Sequence, residues 1–184
     1  MIIETIFSTL DAAGTPNFAP MGILWGDEAV TVRPYRDTQT FRNLLDGGAG
    51  VAAVTDDVAA YVRSALYGAV LGHFPAEAIR GVVFEGACSW RELEVIGRGG
   101  TPERASLQCR VVHTGRRREF PGFCRAAAAV VEAAIVATRL ARIGPEAAGA
   151  DLARYGQIVE KTGGAGEREA MRLVLDYIRR ERHD

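Results

Sequence analysis

Ala29-Val30-Thr31-Val32-Arg33-Pro34-Tyr35-Arg36-Asp37-Thr38-Gln39-Thr40-Phe41-Arg42-Asn43 is the stretch on which the fold turns. From Ala29 to Arg33 the side chains alternate with the period of a half-buried strand. Pro34 lacks an N–H and ends that strand. Asp37-Thr38 is a helix-capping pair in front of Phe41 and Leu44-Leu45, and Gly47-Gly48 closes the helix before Val51-Ala52-Ala53-Val54 resumes extended chain. The segment therefore reads as strand, stop, short capped helix and strand.

Upstream, Ile2 to Thr9 is rich in β-branched residues, Asp11-Ala12-Ala13-Gly14 supplies a turn, and Asn17 to Trp25 returns. Gly26-Asp27-Glu28 connects tightly into Ala29, so the first third is a β-meander. Downstream, a helix is predicted over Asp57–Leu66, followed by a loop through His73 and Pro75 to which no element is assigned. Strands are predicted over Val82–Gly86, Ala87–Ile96 and Arg104–His113. In the last, Ala105, Leu107, Cys109 and Val111 share one face. Gly97-Arg98-Gly99-Gly100-Thr101-Pro102 reads as a hairpin connection, since its glycines lack the strand-to-helix setting of a dinucleotide fingerprint. Beyond Pro121 the period becomes helical: Arg125–Ile143, Asp151–Thr162 and Glu167–Arg182, with breaks at Gly144-Pro145 and Gly163-Gly164. The expected architecture is mainly β with α, in one structural unit. Residues 1–120 form the β core, and residues 121–184 a helical extension packed on it.

Composition narrows the function. A chain of 184 residues with net charge −1 is a globular domain without long-range attraction for nucleic acid. Ala126–Ala137 is interrupted by Glu132 and flanked by Arg125 and Arg139, too short and too charged at its borders for a membrane span. Met1-Ile2-Ile3-Glu4 lacks the features of a signal peptide, so a cytoplasmic protein is expected. Cys88, Cys109 and Cys124, and His73, His113 and His183, show neither a disulfide framework nor a zinc spacing, and structural roles are expected for them. Lys161 is the only lysine, which nearly removes Schiff-base chemistry. Ser89 and Cys88 lack a nucleophile-elbow setting, so hydrolase chemistry is disfavoured.

The chemistry concentrates at Arg33–Asn43. A strand-end arginine precedes a helix start whose unpaired amides and positive dipole end suit a phosphate. Arg33 can make a forked, charge-assisted bond to phosphate oxygens, and Thr38 and Thr40 can add hydroxyl donors. Asp37 opposes an anion unless it turns away or is neutralised by Arg36 or Arg42. The plain alternative is a capped surface helix with solvated arginines.

Asp37-Thr38-x-Thr40-x-x-Asn43 resembles the phosphate-binding segment of split-barrel flavin reductases and related FMN-binding proteins. More extensively, Glu4-Thr5-Ile6, Asn17-Phe18-Ala19-Pro20-Met21-Gly22, Arg33-Pro34-Tyr35, Glu85-Gly86-Ala87-Cys88-Ser89-Trp90-Arg91-Glu92 and Lys161-Thr162-Gly163-Gly164 resemble domain-of-unknown-function family 447. That resemblance covers almost the whole chain. It implies a six-stranded FMN-binding split β-barrel, a homodimer with FMN near the interface, and a C-terminal helical extension. By the same resemblance, Arg33, Thr38, Thr40 and Asn43 surround the phosphate and ribityl chain, and Pro20-Met21-Gly22 lie beneath the flavin ring. Gly22 suits close approach of a flat ligand, whereas Met21 can equally be core. Many flavin reductases carry lysine where this chain has Asp37. The family's association with tetrahydromethanopterin-dependent one-carbon metabolism implies a pterin-type or similar heterocyclic substrate.

Trp90 and Arg91 form a second, weaker candidate for substrate contact. An indole in a strand more often packs, and an Arg91-Glu92 neighbour pair more often faces water. Arg125, Glu132 and Arg139 share one helix face, and Arg116–Glu119 reads as a solvated turn. Three functional classes remain open: an FMN-dependent oxidoreductase, a non-catalytic flavin binder, and a dimeric interaction module that has lost the flavin.

Overall fold

Six strands carry the apolar alternation into a closed barrel. In the computed structural model, which describes residues 1–181, they are β1 (Ile2–Leu10), β2 (Pro16–Trp25), β3 (Ala29–Val32), β4 (Ala49–Val54), β7 (Ser89–Gly100) and β8 (Ala105–Arg116). The order around the barrel is β1-β2-β3-β8-β7-β4. Arg182 and His183, named in the sequence reading, lie outside the described residues. The remaining elements are α1 (Gln39–Gly47), α2 (Val58–Tyr67), β5 (His73–Pro75), β6 (Val82–Phe84), α3 (Arg125–Thr138), α4 (Leu140–Ile143), α5 (Pro145–Thr162) and α6 (Ala165–Glu181).

The described chain forms two compact units: Met1–Thr55 with Val70–Phe120, and Asp56–Ala69 with the residues from Pro121 onward. Helix α2 thus groups with the C-terminal helices rather than with the barrel.

Inside the barrel, Phe7, Ile23, Val30, Val32, Ala52, Leu93, Ala105, Leu107 and Cys109 meet Phe41 and Leu44 of α1. Burying each larger side chain contributes about 1.5–3 kcal/mol. Helix α1 packs on β1, β2 and β4, and so stoppers one end of the barrel. Its N-cap is Thr38, whose Oγ1 accepts from Phe41 N at 3.3 Å, and Gly48 ends it in the left-handed region at φ +64°. Burial pushes the Cys109 thiol up to about 12, the behaviour of an inert core cysteine.

The loop left unassigned by sequence contains β5, whose three residues are too short to show a period; its hairpin partner β6 lies within the strand predicted over Val82–Gly86. The carboxylate of Glu92 holds the loop between them. Glu92 is fully buried and accepts from Glu77 N at 2.9 Å, Ala78 N at 2.7 Å and Trp90 Nε1 at 3.3 Å. The expectation of a solvated Arg91-Glu92 pair is therefore corrected: the two side chains leave the strand on opposite faces, and neither pairs with the other.

In the helical unit, Ala126, Ala129, Val130, Ala133, Ala134 and Ala137 form the buried stripe of α3, with Arg125, Glu132 and Arg139 exposed. The predicted Arg125–Ile143 helix breaks after Thr138, whose Oγ1 donates back to the Ile135 carbonyl at 2.8 Å. Helix α5 starts six residues earlier than its apolar spacing indicates, with Pro145 in its first turn. No helix among the described residues is long and apolar enough to cross a membrane.

Candidate functional site

The barrel wall has a gap. Strands β2 and β3 share only two residue pairs, Leu24 with Thr31 and Trp25 with Val30. Past Val32 the chain stays with β8 instead: Ala105 N donates to the Pro34 carbonyl at 3.0 Å, Tyr35 bridges Arg104, and Arg36 N donates to the Glu103 carbonyl at 3.1 Å. Trp25 N donates to the Met1 carbonyl, so odd-numbered residues of β2 bond toward β1 and even-numbered ones bond away from it. Continued past Leu24 and Thr31, the register makes Gly22 and Arg33 the next hydrogen-bonding pair. That rung is absent, and the Arg33 carbonyl accepts from Arg104 Nε at 2.8 Å instead. The N–H and carbonyl of Gly22 are left facing the gap. Pro20 lies on the same edge, where a residue without an N–H leaves no donor unpaired.

Beyond the gap the edges are tied again. Asn17 Nδ2 donates to Thr40 Oγ1 at 3.0 Å, and Asn43 Nδ2 donates to Thr9 Oγ1 at 3.0 Å. Asn43 Oδ1 accepts from Gln39 Nε2 at 2.6 Å. Thr40 and Asn43 are both buried, and their polar groups fasten α1 to β2 and β1. Thr38 Oγ1 donates to the Tyr35 carbonyl at 2.6 Å while it caps the helix. The amides of Gln39 and Thr40 have no acceptor among the described residues, as the first turn of a helix dictates.

Five arginines surround this segment, and four are engaged. Arg36 Nε donates to the Thr101 carbonyl at 2.8 Å, Arg42 Nη1 to that of Asp37 at 2.9 Å, Arg98 Nη2 to that of Leu45 at 3.1 Å, and Arg104 to that of Arg33. The fifth, Arg33, is exposed, and its guanidinium has no partner among the described residues. Because Val30 and Val32 face the core, Arg33 projects from the outer face of the barrel. Asp37 is exposed and makes no ion pair among the described residues, so neither Arg36 nor Arg42 neutralises it here.

The predicted residues therefore fall into two places. Pro20, Met21 and Gly22 line one edge of the gap, with Met21 packed on the core. Arg33, Thr38, Thr40 and Asn43 follow from its other edge into α1. Trp90 and Arg91 lie toward the opposite end of β7. The Trp90 indole is buried over Gly115 and edge-on to Phe74 at 5.6 Å. Arg91 stacks on the Trp25 ring at 4.2 Å and donates to the Gly26 carbonyl. Sequence reasoning missed Asn17 and the absent rung. Asn17 had a signal, a polar side chain inside an apolar strand; the rung had none. A hollow of about 530 Å³ lined by Asp27, Glu28, Ala29, Ile96, Arg110 and Val111 contains none of the predicted residues. No group of three or more potential metal ligands occurs among the described residues.

This framework has solved counterparts. The chain is 28% identical to the FMN-bound protein MM1853 from Methanosarcina mazei, with a TM-score of 0.84 over 96% of this chain and 94% of that one. An FMN-binding protein from Thermus thermophilus aligns at 17% identity and TM-score 0.54, covering 62% of this chain and 71% of that one. A flavoredoxin from Methanosarcina acetivorans aligns at 11% and 0.55, covering 63% and 69%. These last two share the barrel fold. The family described as "Protein of unknown function (DUF447)" matches through its N-terminal domain over residues 3–118 and its C-terminal domain over residues 124–176, and the chain belongs to that family.

Proposed function

We propose that this chain binds FMN and works as an FMN-dependent oxidoreductase on a small heterocyclic substrate of the pterin type, in one-carbon metabolism. The observation that carries the reading is the missing Gly22–Arg33 rung with an unengaged guanidinium beside it. The N–H and carbonyl of Gly22 form a donor–acceptor edge complementary to the imide edge of a flavin ring. Arg33 and the open amides of Gln39 and Thr40 offer charge and hydrogen bonds for a terminal phosphate. Thr38, Thr40 and Asn43 hold the loop and helix in the shape that presents those donors. The FMN in the M. mazei protein supports the same reading.

When bound, FMN supplies the redox chemistry, while the protein supplies position and electrostatics. The chain works as a cytoplasmic homodimer in this reading, and its three unbridged cysteines suit a reducing compartment. FMN rather than FAD is taken as the cofactor, since among the described residues nothing recognisable for an adenosine adjoins the phosphate donors and the M. mazei protein is FMN-bound.

Cofactor released by heat from the purified protein should run as FMN on chromatography, and stoichiometric FAD would refute the assignment. Stopped-flow mixing of the loaded protein with NADH or NADPH separates a reductase from a passive flavin carrier. Colourless protein that takes up no added FMN would leave a barrel acting as an interaction module.

A further inference from the structure

Glu4 and Gly22 are register partners on β1 and β2, and both face outward. A β-carbon built on Gly22 would lie 2.9 Å from Glu4 Oε1 and 2.8 Å from Ile2 Cγ2. The missing side chain of Gly22 is thus what lets the Glu4 carboxylate lie across the strand. Gly22 is also the residue whose N–H and carbonyl face the gap, and Arg33 projects from the same outer face on the gap's far side. Glu4, Gly22 and Arg33 form one row, an anion and a cation flanking a vacant backbone rung. Arg33 has no partner among the described residues, so the row does not collapse into an ion pair across the gap.

Resting on the FMN reading, we propose that Glu4 sets the redox poise of the bound flavin. A ring that pairs its imide edge with Gly22 brings its polar end beside the Glu4 carboxylate. Reduction builds negative charge at that end of the ring, and charge placed there is one of the means by which proteins tune a flavin. A carboxylate lying over Gly22 would oppose that charge and hold the midpoint potential low. It does so without touching the phosphate, so it weakens reduced FMN selectively.

The experiment compares FMN-loaded wild type, Glu4→Gln, Glu4→Asp and, as a remote carboxylate control, Glu28→Gln. The readouts are midpoint potential by dye equilibration and the ratio of dissociation constants for reduced and oxidised FMN. Glu4→Gln is expected to favour reduced FMN by about tenfold, a fold-change set by one charge at moderate effective dielectric. For a two-electron couple that corresponds to about 30 mV upward. Glu4→Asp should stay closer to wild type, and Glu28→Gln should match it. Glu4→Gln protein that holds FMN at the wild-type potential would overturn the proposal while leaving FMN binding intact. Wild-type protein that takes up no FMN would instead remove the parent reading, and this one with it.

Discussion

The indole of Trp90 lies against the backbone of Gly115: a β-carbon on that glycine would come within 2.0 Å of Cζ2 and 2.2 Å of Cε2. The two residues are partners on β7 and β8, and the ring is fixed from the sides by Glu92 and Phe74. It has nowhere to move. Gly115→Ala should therefore destabilise the barrel by about 1–3 kcal/mol, the usual range for overpacking. Urea unfolding followed by tryptophan fluorescence measures this, and an unchanged midpoint would mean that the indole is mobile.

Glu92 gives a second test. Glu92→Gln keeps one acceptor oxygen but turns an amide NH2 toward a backbone donor, leaving an N–H of Glu77 or Ala78 unsatisfied at a cost of about 1–3 kcal/mol. The expected signature is local. Hydrogen exchange at Glu77 and Ala78 should accelerate well before that of the barrel strands, and uniform acceleration would show that Glu92 supports the whole barrel instead.

Much of this fold was legible and some of the site was not, for physical reasons. The strand–proline–cap order from Ala29 to Phe41 is local chemistry, and the structure follows it. Strand β5 escaped because three residues have no period, whereas its partner β6 fell within the predicted Val82–Gly86 strand. Glu92 looked like a solvated acid because its burial depends on a loop more than ten residues away in sequence. The gap beside Gly22 was invisible for a similar reason, since it exists only because the chain after Val32 follows β8. Trp90 was readable as packing, and packs.

Arg33→Ala should weaken FMN binding by about 1.5–3 kcal/mol, the loss of a hydrogen bond to a charged group. Arg98 is no neutral comparator, because it donates to the Leu45 carbonyl near the end of α1. Arg154, stacked on Tyr155 in α5, is the better control. Fluorescence titration giving equal affinities for the Arg33 and Arg154 variants would take Arg33 out of the site.

Cys109 predicts an alkaline limb. Its folded-state pKa, about 12, lies above the thiol's ordinary value in the unfolded chain. The associated stability is therefore fully present below the unfolded pKa near 8.5 and is lost as pH rises toward the folded value. Cys109→Ala should be less stable than wild type at pH 7 yet decline less steeply between about pH 9 and 12. Denaturant midpoints across that window decide it, and parallel curves would contradict the assignment. In native protein, iodoacetamide should label half-buried Cys124 ahead of Cys109.

Assembly provides the fifth test. The barrel closes through β1 and β4 but leaves the β2 edge open, and in the proposed dimer the partner helps to wall that side. Sedimentation should show a dimer even when dilute, and FMN should raise its thermal stability by mass action. A monomer that retains FMN at full affinity would show that one chain makes the whole site.

The two-rung seam between β2 and β3 has a kinetic corollary. A flat guest that docks against Gly22 displaces no interstrand hydrogen bond between β2 and β3, because folding formed none there. In the proposed binding mode it would stand in for the absent stretch of neighbouring strand. Loading in that mode would then need no local unfolding of that ladder.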